Sequence, residues 1–275
     1  MTQKSGIDNR PRLLQEWEAM CRGASVVTPS DQNRNPGDTN TLIIKLANPG
    51  TREYAMKSLC MFHRNVPDLG VLIWHSFGAV SSLIQEIISA YLRREVLESD
   101  AARILTALSL LEAVAEHPRT KVDFVCSKIH EIVAPLANLG PSSPHFEALR
   151  RGALRVMRAL VGGSNLDRGM IGQKEYACVI MQMLADDFLM KIIWNSVNHG
   201  GTLAQLLTLQ IIYRVSYYDD VLIIFTRAPN TMKLLPKALE KLHEVCRKEM
   251  PPMCPQVVSL YQKLYSRYHQ SAMAP

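Results

Sequence analysis

From about Thr41 onward, the apolar residues of this chain recur at helical spacing in successive short stretches. Pro, Gly or Asp separates the stretches, and little of the strict alternation typical of strands is present. The pattern therefore predicts an all-α protein. The predicted helices are 52–63, 68–92, 100–116, 118–128, 130–139, 144–161, 172–184, 187–198, 201–216, 219–227, 231–248 and 254–269.

Two segments of the chain repeat a short pattern. The segments Asn48–Tyr54 and Glu116–Phe124 both contain a Pro-x-Thr-basic turn that opens an amphipathic helix, as armadillo repeats do. Units of about 40 to 47 residues, with two or three helices each, bury their apolar faces only against neighbouring units. We therefore expect residues 41–270 to form an armadillo-repeat-type, right-handed helical solenoid of about five to six repeats.

The first 40 residues are a predicted extension to that domain. Residues 28–40 contain almost no apolar side chain, so we expect a flexible loop there. The apolar residues that precede the loop at helical spacing are Leu13, Leu14, Trp17 and Met20. Residues 11–22 are accordingly predicted to form a short helix that docks elsewhere, and residues 271–275 are predicted to be a flexible tail.

Composition excludes several classes of protein. Apolar runs such as 71–73 and 84–88 are far shorter than the roughly 18 to 20 residues that span a bilayer, so no membrane segment is expected. The polar start lacks the apolar core of a secretory signal, which favours the cytoplasm or nucleus. The 6 cysteines form no CxxC pair, which argues against a disulfide framework and a zinc site. A net charge of +6 is compatible with acidic or phosphate-bearing partners without requiring them.

Catalytic motifs are absent from the sequence. There is no GxSxG elbow, no phosphate-binding GxxxxGK and no HExxH, so we expect neither an enzyme nor a bound cofactor or metal. A nuclear-import receptor of the armadillo type is an alternative, but such receptors carry regularly spaced Trp-Asn pairs. The single pair Trp194-Asn195 is weak support for it.

One run of residues resembles a known family. Val66–Ile88 contains Val-Pro-Asp-Leu, Trp-His-Ser-Phe-Gly and Leu-Ile-Gln-Glu-Ile, and it resembles the Rcd-one-like cell differentiation family. The similarity covers roughly residues 41–268. It implies a non-catalytic armadillo protein that docks on the Not-one scaffold of the CCR-NOT deadenylase complex and recruits RNA-binding repressor proteins of particular mRNAs. Cytoplasmic, P-body and nuclear localisation, and a homodimer, are further expectations from the resemblance.

The resemblance also implies a docking site on the predicted helix 68–92. In relatives, the scaffold-binding surface uses the His and Phe of the Trp-His-Ser-Phe-Gly motif and small or aliphatic residues further along. The corresponding residues here are His75, Phe77, Ser81 and Ile88. Independently, positions 77, 81, 84 and 88 recur at helical spacing, so Ile84 joins the predicted stripe. The alternative is an intramolecular core, which is the commoner fate of such a stripe.

A basic ridge is predicted on a later helix. Arg151, Arg155 and Arg158 recur at i, i+4 and i+7 where relatives carry mostly apolar or small residues. In an armadillo groove the ridge would meet single-stranded RNA phosphates or an acidic peptide. The alternative, which we favour slightly, is a solvated face with local salt bridges.

A third predicted site concerns peptide capture. Animal relatives hold tryptophans of repressor proteins in two pockets, the first built partly around a Tyr-x-Arg element. This chain has Asn230-Thr231-Met232 at that place, so the first pocket is altered. Tyr261 matches a family tyrosine near the second pocket and is our candidate there.

Overall fold

The computed structural model describes residues 36–62, 66, 68–92, 96–140, 144–162, 179, 188–216, 231–249, 251 and 254–272. Over these ranges the protein is all α-helical, with twelve helices and no strand, as the sequence predicts. The helices are α1 Pro36–Leu46, α2 Pro49–Phe62, α3 Leu69–His75, α4 Ala79–Tyr91, α5 Glu98–Glu116, α6 Pro118–Cys126, α7 Ile129–Ala137, α8 Pro144–Val161, α9 Phe188–His199, α10 Thr202–Val215, α11 Thr231–Glu249 and α12 Cys254–Ala272. Of the helices predicted at 172–184 and 219–227, only residue 179 is among the described residues.

The helix α1 is absent from the sequence prediction. Residues 36–40, the end of the predicted loop 28–40, are helical, so the prediction is wrong for them. Proline suits the first turn of a helix because its φ is already helical. Leu42, Ile43 and Leu46 then bury one side of α1 in the core, and packing of this kind outweighs weak local propensity. The predicted helix 11–22 and loop residues 28–35 lie outside the described ranges.

A second correction concerns the predicted helix 68–92, which is two helices. The axes of α3 and α4 differ by 91°. Between them Ser76 is extended, with ψ of 125°, and Gly78 has a positive φ of 77°, which glycine adopts without steric cost. No single helix in the described part is long and apolar enough to cross a membrane. The bent pair Leu69–His75 and Ala79–Ser89 passes that test only when taken together.

Helices α2, α5, α8 and α10 are successive neighbours in the fold. Gly152 of α8 lies against Leu108 of α5, and one turn or more further along, Arg158 of α8 pairs with Glu112 of α5. The two helices therefore run parallel. Arg158 also donates to Gln210 of α10 at 3.3 Å. Parallel neighbours are the arrangement that stacked repeats would produce, and the solenoid stays a prediction.

The two turns that repeat in sequence also repeat in hydrogen bonding. Thr51 donates from its hydroxyl to the carbonyl of Lys45, at 2.9 Å, and Thr120 donates to the carbonyl six residues before it, at 2.5 Å. In the first turn, the Asn48 side chain accepts from the backbone N–H two residues later, and His117 does the same in the second. The shared Pro-x-Thr pattern therefore encodes one local structure, used twice.

Candidate docking surface

The predicted docking residues lie on and beside α4. Phe77 is fully exposed, at 101%, and Ile88 is 39% exposed. His75 and Ser81 are also exposed, whereas Ile84 is half-buried and packs against the core. We call these five residues the α4 face. Ile84 is thus partly in the core and partly on the surface, whereas the other four side chains are exposed and do not belong to the core.

The turn between α3 and α4 determines where Phe77 points. Because the helix is interrupted, Phe77 lies in the turn rather than on the predicted continuous helix. The hydroxyl of Ser76 donates to the carbonyl of Leu72 at 2.6 Å, and the hydroxyl of Ser81 donates to the carbonyl of Gly78 at 3.0 Å. These bonds hold both sides of the turn, so the ring of Phe77 projects from a defined backbone.

The exposed side of α4 carries no charge. The one carboxylate of α4, Glu86, is buried and binds two arginines, of which Arg52 is buried and Arg103 is partly exposed. Arg52 of α2 donates from Nη1 to Oε1 of Glu86 at 3.1 Å, and Arg103 of α5 donates to Oε2. The hydrogen bond to Glu86 raises the pKa of Arg103. This network ties α4 to α2 and α5, and it keeps the carboxylate of α4 away from the exposed side of that helix.

The remaining motif residues stabilise α3. Asp68 lies 3.4 Å from Nε2 of His117, which joins the Val-Pro-Asp-Leu segment to the second repeated turn. Gly70 lies against the backbone of Ala113 in α5, so closely that a Cβ there would be 2.4 Å from the Ala113 carbonyl oxygen. Trp74 is half-buried against the core. Part of the motif is therefore structural.

The arginine ridge is only partly available to solvent. Arg155 donates to Oε2 of Glu112 at 2.7 Å, and Arg158 contacts Oε1 of the same carboxylate at 3.0 Å. Glu112 is buried. Arg151 is half-buried, and its Nε has no hydrogen-bond partner. Two of the three guanidinium groups therefore form local salt bridges.

Tyr261 lies on the exposed side of α12. Its ring stacks on that of Tyr265, with centroids 6.2 Å apart and an interplanar angle of 11°. Of the altered pocket element, Asn230 lies outside the described residues. At the Trp-Asn pair, the chain's own Lys241 lies 5.6 Å from the Trp194 ring centroid, a contact that no sequence spacing signals.

Comparison with known proteins identifies the family. Residues 42–273 match the family model described as cell differentiation family, Rcd1-like. The chain belongs to the Rcd1-like cell differentiation family. It is 36% identical over 132 residues to cell differentiation protein rcd1 of Schizosaccharomyces pombe, covering 47% of this chain and 47% of that protein. It is 37% identical over 119 residues to protein CAF40 of Saccharomyces cerevisiae, covering 42% of this chain and 32% of that protein.

The family match confirms the resemblance drawn from Val66–Ile88. It includes the α4 face, the arginine ridge and Tyr261 within one matched region. The aligned segments span less than half the length of either named relative. The match to the family model, in contrast, extends over nearly all of the described residues.

Burial affects the pKa of several ionisable groups of this Rcd1-like chain. Burial raises the pKa of the Cys60 thiol to about 12 and that of Cys246 to about 11, which disfavours the reactive thiolate. Burial lowers the pKa of His130. Across the described ranges, no group of three or more His, Cys, Asp or Glu side chains is placed to hold a metal ion.

Proposed function

We propose that this protein is a non-catalytic adaptor subunit of the CCR-NOT deadenylase complex. In this role it binds the Not-one scaffold subunit through the α4 face and recruits RNA-binding repressor proteins. The consequence for bound mRNAs is deadenylation, decay and translational repression, in the cytoplasm with P-bodies and the nucleus as further locations. Membership in the Rcd1-like family supports the proposal.

The full exposure of Phe77 carries the proposal. Burying a large apolar side chain stabilises a protein or complex by roughly 1.5 to 3 kcal/mol, and Phe77 contributes none of this within the described part of the chain. A single exposed apolar residue needs no explanation, but Phe77 lies in the turn directly before α4, next to the uncharged side of that helix. Aromatic residues in such patches commonly dominate binding energy. A protein partner is therefore the occupant that this surface fits.

The double variant Phe77→Ala/Ile88→Glu tests the proposal. We expect its affinity for purified Not-one scaffold to fall at least tenfold, because it removes an aromatic anchor and places a charge on the uncharged face. Its melting temperature should stay close to that of the wild type, since both side chains are exposed. Calorimetric titration and far-UV circular dichroism measure the two quantities.

The matched control is Tyr265→Ala/Val258→Glu, which makes the same kinds of change at exposed residues of α12. It should bind the scaffold as the wild type does. If the α4 variant also binds with unchanged affinity, the α4 face is not the scaffold site.

Single-stranded RNA binding through the arginine ridge is the alternative function. The contacts of Arg155 and Arg158 with Glu112 favour a stabilising role instead. We expect Arg155→Ala/Arg158→Ala to lower the free energy of unfolding by about 2 kcal/mol, because it leaves the buried Glu112 carboxylate without its cations. Urea denaturation measures this loss.

A double-mutant cycle with Glu112→Gln distinguishes a stabilising role of the arginine ridge from an RNA-binding role. Adding Glu112→Gln to the arginine double variant should recover part of the lost stability, because the uncompensated charge is then removed. Unchanged stability, together with weaker and less salt-sensitive RNA binding by the arginine variant, would instead favour the RNA interface.

Tyr261 is our candidate for repressor recruitment. Its exposed position and stacked neighbour Tyr265 provide an apolar surface for an aromatic side chain of a client protein. The altered element at Asn230-Thr231-Met232 suggests clients different from those of animal relatives.

A further inference from the structure

We propose that the scaffold-binding surface continues from the α4 face onto α1, where Ile44 is a second apolar anchor for the same partner. The proposal rests on the proposed function, because it assigns Ile44 to the interface that Phe77 begins. It concerns a helix that the sequence motif does not include, since α1 precedes Val66–Ile88.

The end of α1 is in contact with the turn that carries Phe77. A Cβ built on Gly78 would lie 3.3 Å from the Cβ of Ala47, the residue that follows α1. Ile44 is three residues before Ala47, and residues at this spacing lie on neighbouring parts of one helix surface. Ile44 and Phe77 therefore flank a single contact between α1 and the turn before α4.

Nothing in the described part of the chain packs over the side chain of Ile44 to bury it. Its apolar neighbours Leu42, Ile43 and Leu46 are buried, whereas Ile44 is 73% exposed. Across the contact between Ala47 and Gly78, Phe77 is exposed along its whole side chain. Two large exposed apolar side chains on either side of one packed contact mark an interaction surface more strongly than isolated residues do.

The composition of this patch fits an apolar part of the scaffold. Between Phe77 and Ile88, the outer side of α4 exposes Ser81 and Gln85 and no charged group. A stable interface buries at least roughly 1,000 Å² in total, more than one face of a 13-residue helix readily supplies. Extension across α1 would add area next to the α4 face, and the same scaffold segment would cover both.

The variant Ile44→Glu tests the inference against Met61→Glu. Met61 is also 73% exposed, but it lies near the far end of α2, away from the contact between Ala47 and Gly78. Using the full chain and purified Not-one scaffold, we expect Ile44→Glu to weaken binding about tenfold and Met61→Glu to change it less than twofold. Ile44→Val should retain most of the affinity. All three variants should have the melting temperature of the wild type.

The outcome of Phe77→Ala in the same assay separates the two proposals. If Phe77→Ala weakens binding and Ile44→Glu does not, the interface ends at α4 and the inference about Ile44 is wrong while the proposed function stands. If neither variant weakens binding, the scaffold does not use this surface at all. If Met61→Glu weakens binding as much as Ile44→Glu, the loss comes from the added negative charge, and the proposal that Ile44 is a second anchor is wrong.

Discussion

Replacing Arg150 by methionine is expected to lower the free energy of unfolding by about 3 to 5 kcal/mol. Arg150 is only 1% exposed, on α8. Its Nη1 donates to a carboxylate oxygen of Glu147 and to the carbonyl of His199, each at 2.7 Å. Its Nε donates to the carbonyl of Ala137 at 3.3 Å, and Nη2 donates to that of Leu139.

These bonds explain the size of the expected loss. The accepting carbonyls lie at the ends of α7 and α9, where no further helical N–H is available to bond them. One guanidinium therefore satisfies the ends of two helices that are far apart in the chain. Methionine has similar length but no donor, so the variant leaves buried carbonyls unpaired. Lysine should rescue little, because a single ammonium group cannot reproduce the planar fork.

Urea denaturation followed by far-UV circular dichroism measures the effect. The control is Arg247→Met, at an exposed position in the last turn of α11, where a change within about 0.5 kcal/mol is expected. Equal stability of the two variants would show that the hydrogen bonds of Arg150 do not hold the helix ends.

Replacing Gly70 by alanine is expected to cost about 3 kcal/mol of stability. The added Cβ would lie 2.4 Å from the carbonyl oxygen of Ala113 and 3.1 Å from the Cα of Val114. These are backbone atoms in the last turn of α5 and cannot move aside as a flexible side chain can. The helix α3 would have to shift away from α5, and the turn that carries Phe77 would shift with it.

Gly50→Ala is the matched control for this prediction. A Cβ at Gly50 would meet only Oδ1 of Asn48, at an ordinary 3.5 Å, and alanine favours helix more than glycine does. Thermal and urea unfolding should show a stability equal to or slightly above that of the wild type. If Gly70→Ala unfolds at the same denaturant concentration as Gly50→Ala, α3 can move without cost and the close packing is not required.

Most helices were predictable because their apolar residues repeat at helical spacing. The predicted helix 144–161 coincides with α8, and 187–198 differs from α9 by one residue at each end. The helix α1 was missed because its first residues are polar, and its buried side becomes visible only in its packing against α2 and α4. The break at Gly78 had a sequence signal, since glycine inside a helical pattern weakens the prediction of a continuous helix.

For the candidate site, the sequence predicted which residues belong to it but not which of them are exposed. The motif identified the residues of the α4 face, but helical spacing alone did not distinguish docking from core. The exposure of Phe77 and the half-burial of Ile84 depend on the turn at Gly78 and on the packing of α4. Likewise, the spacing of Arg155 and Arg158 predicted a ridge, whereas their partner Glu112 comes from a helix about 40 residues earlier.

The sequence by itself determined the helical class, the repeated turn and the family, because these depend on local spacing and on residues that are adjacent in the chain. The tertiary structure decided which side chains remain exposed and which charges are buried. Arg150 illustrates the difference, since a charged residue is expected at the surface until the helix ends that surround it are known. Exposure depends on neighbours that are distant in sequence, and only the packed helices bring those neighbours together.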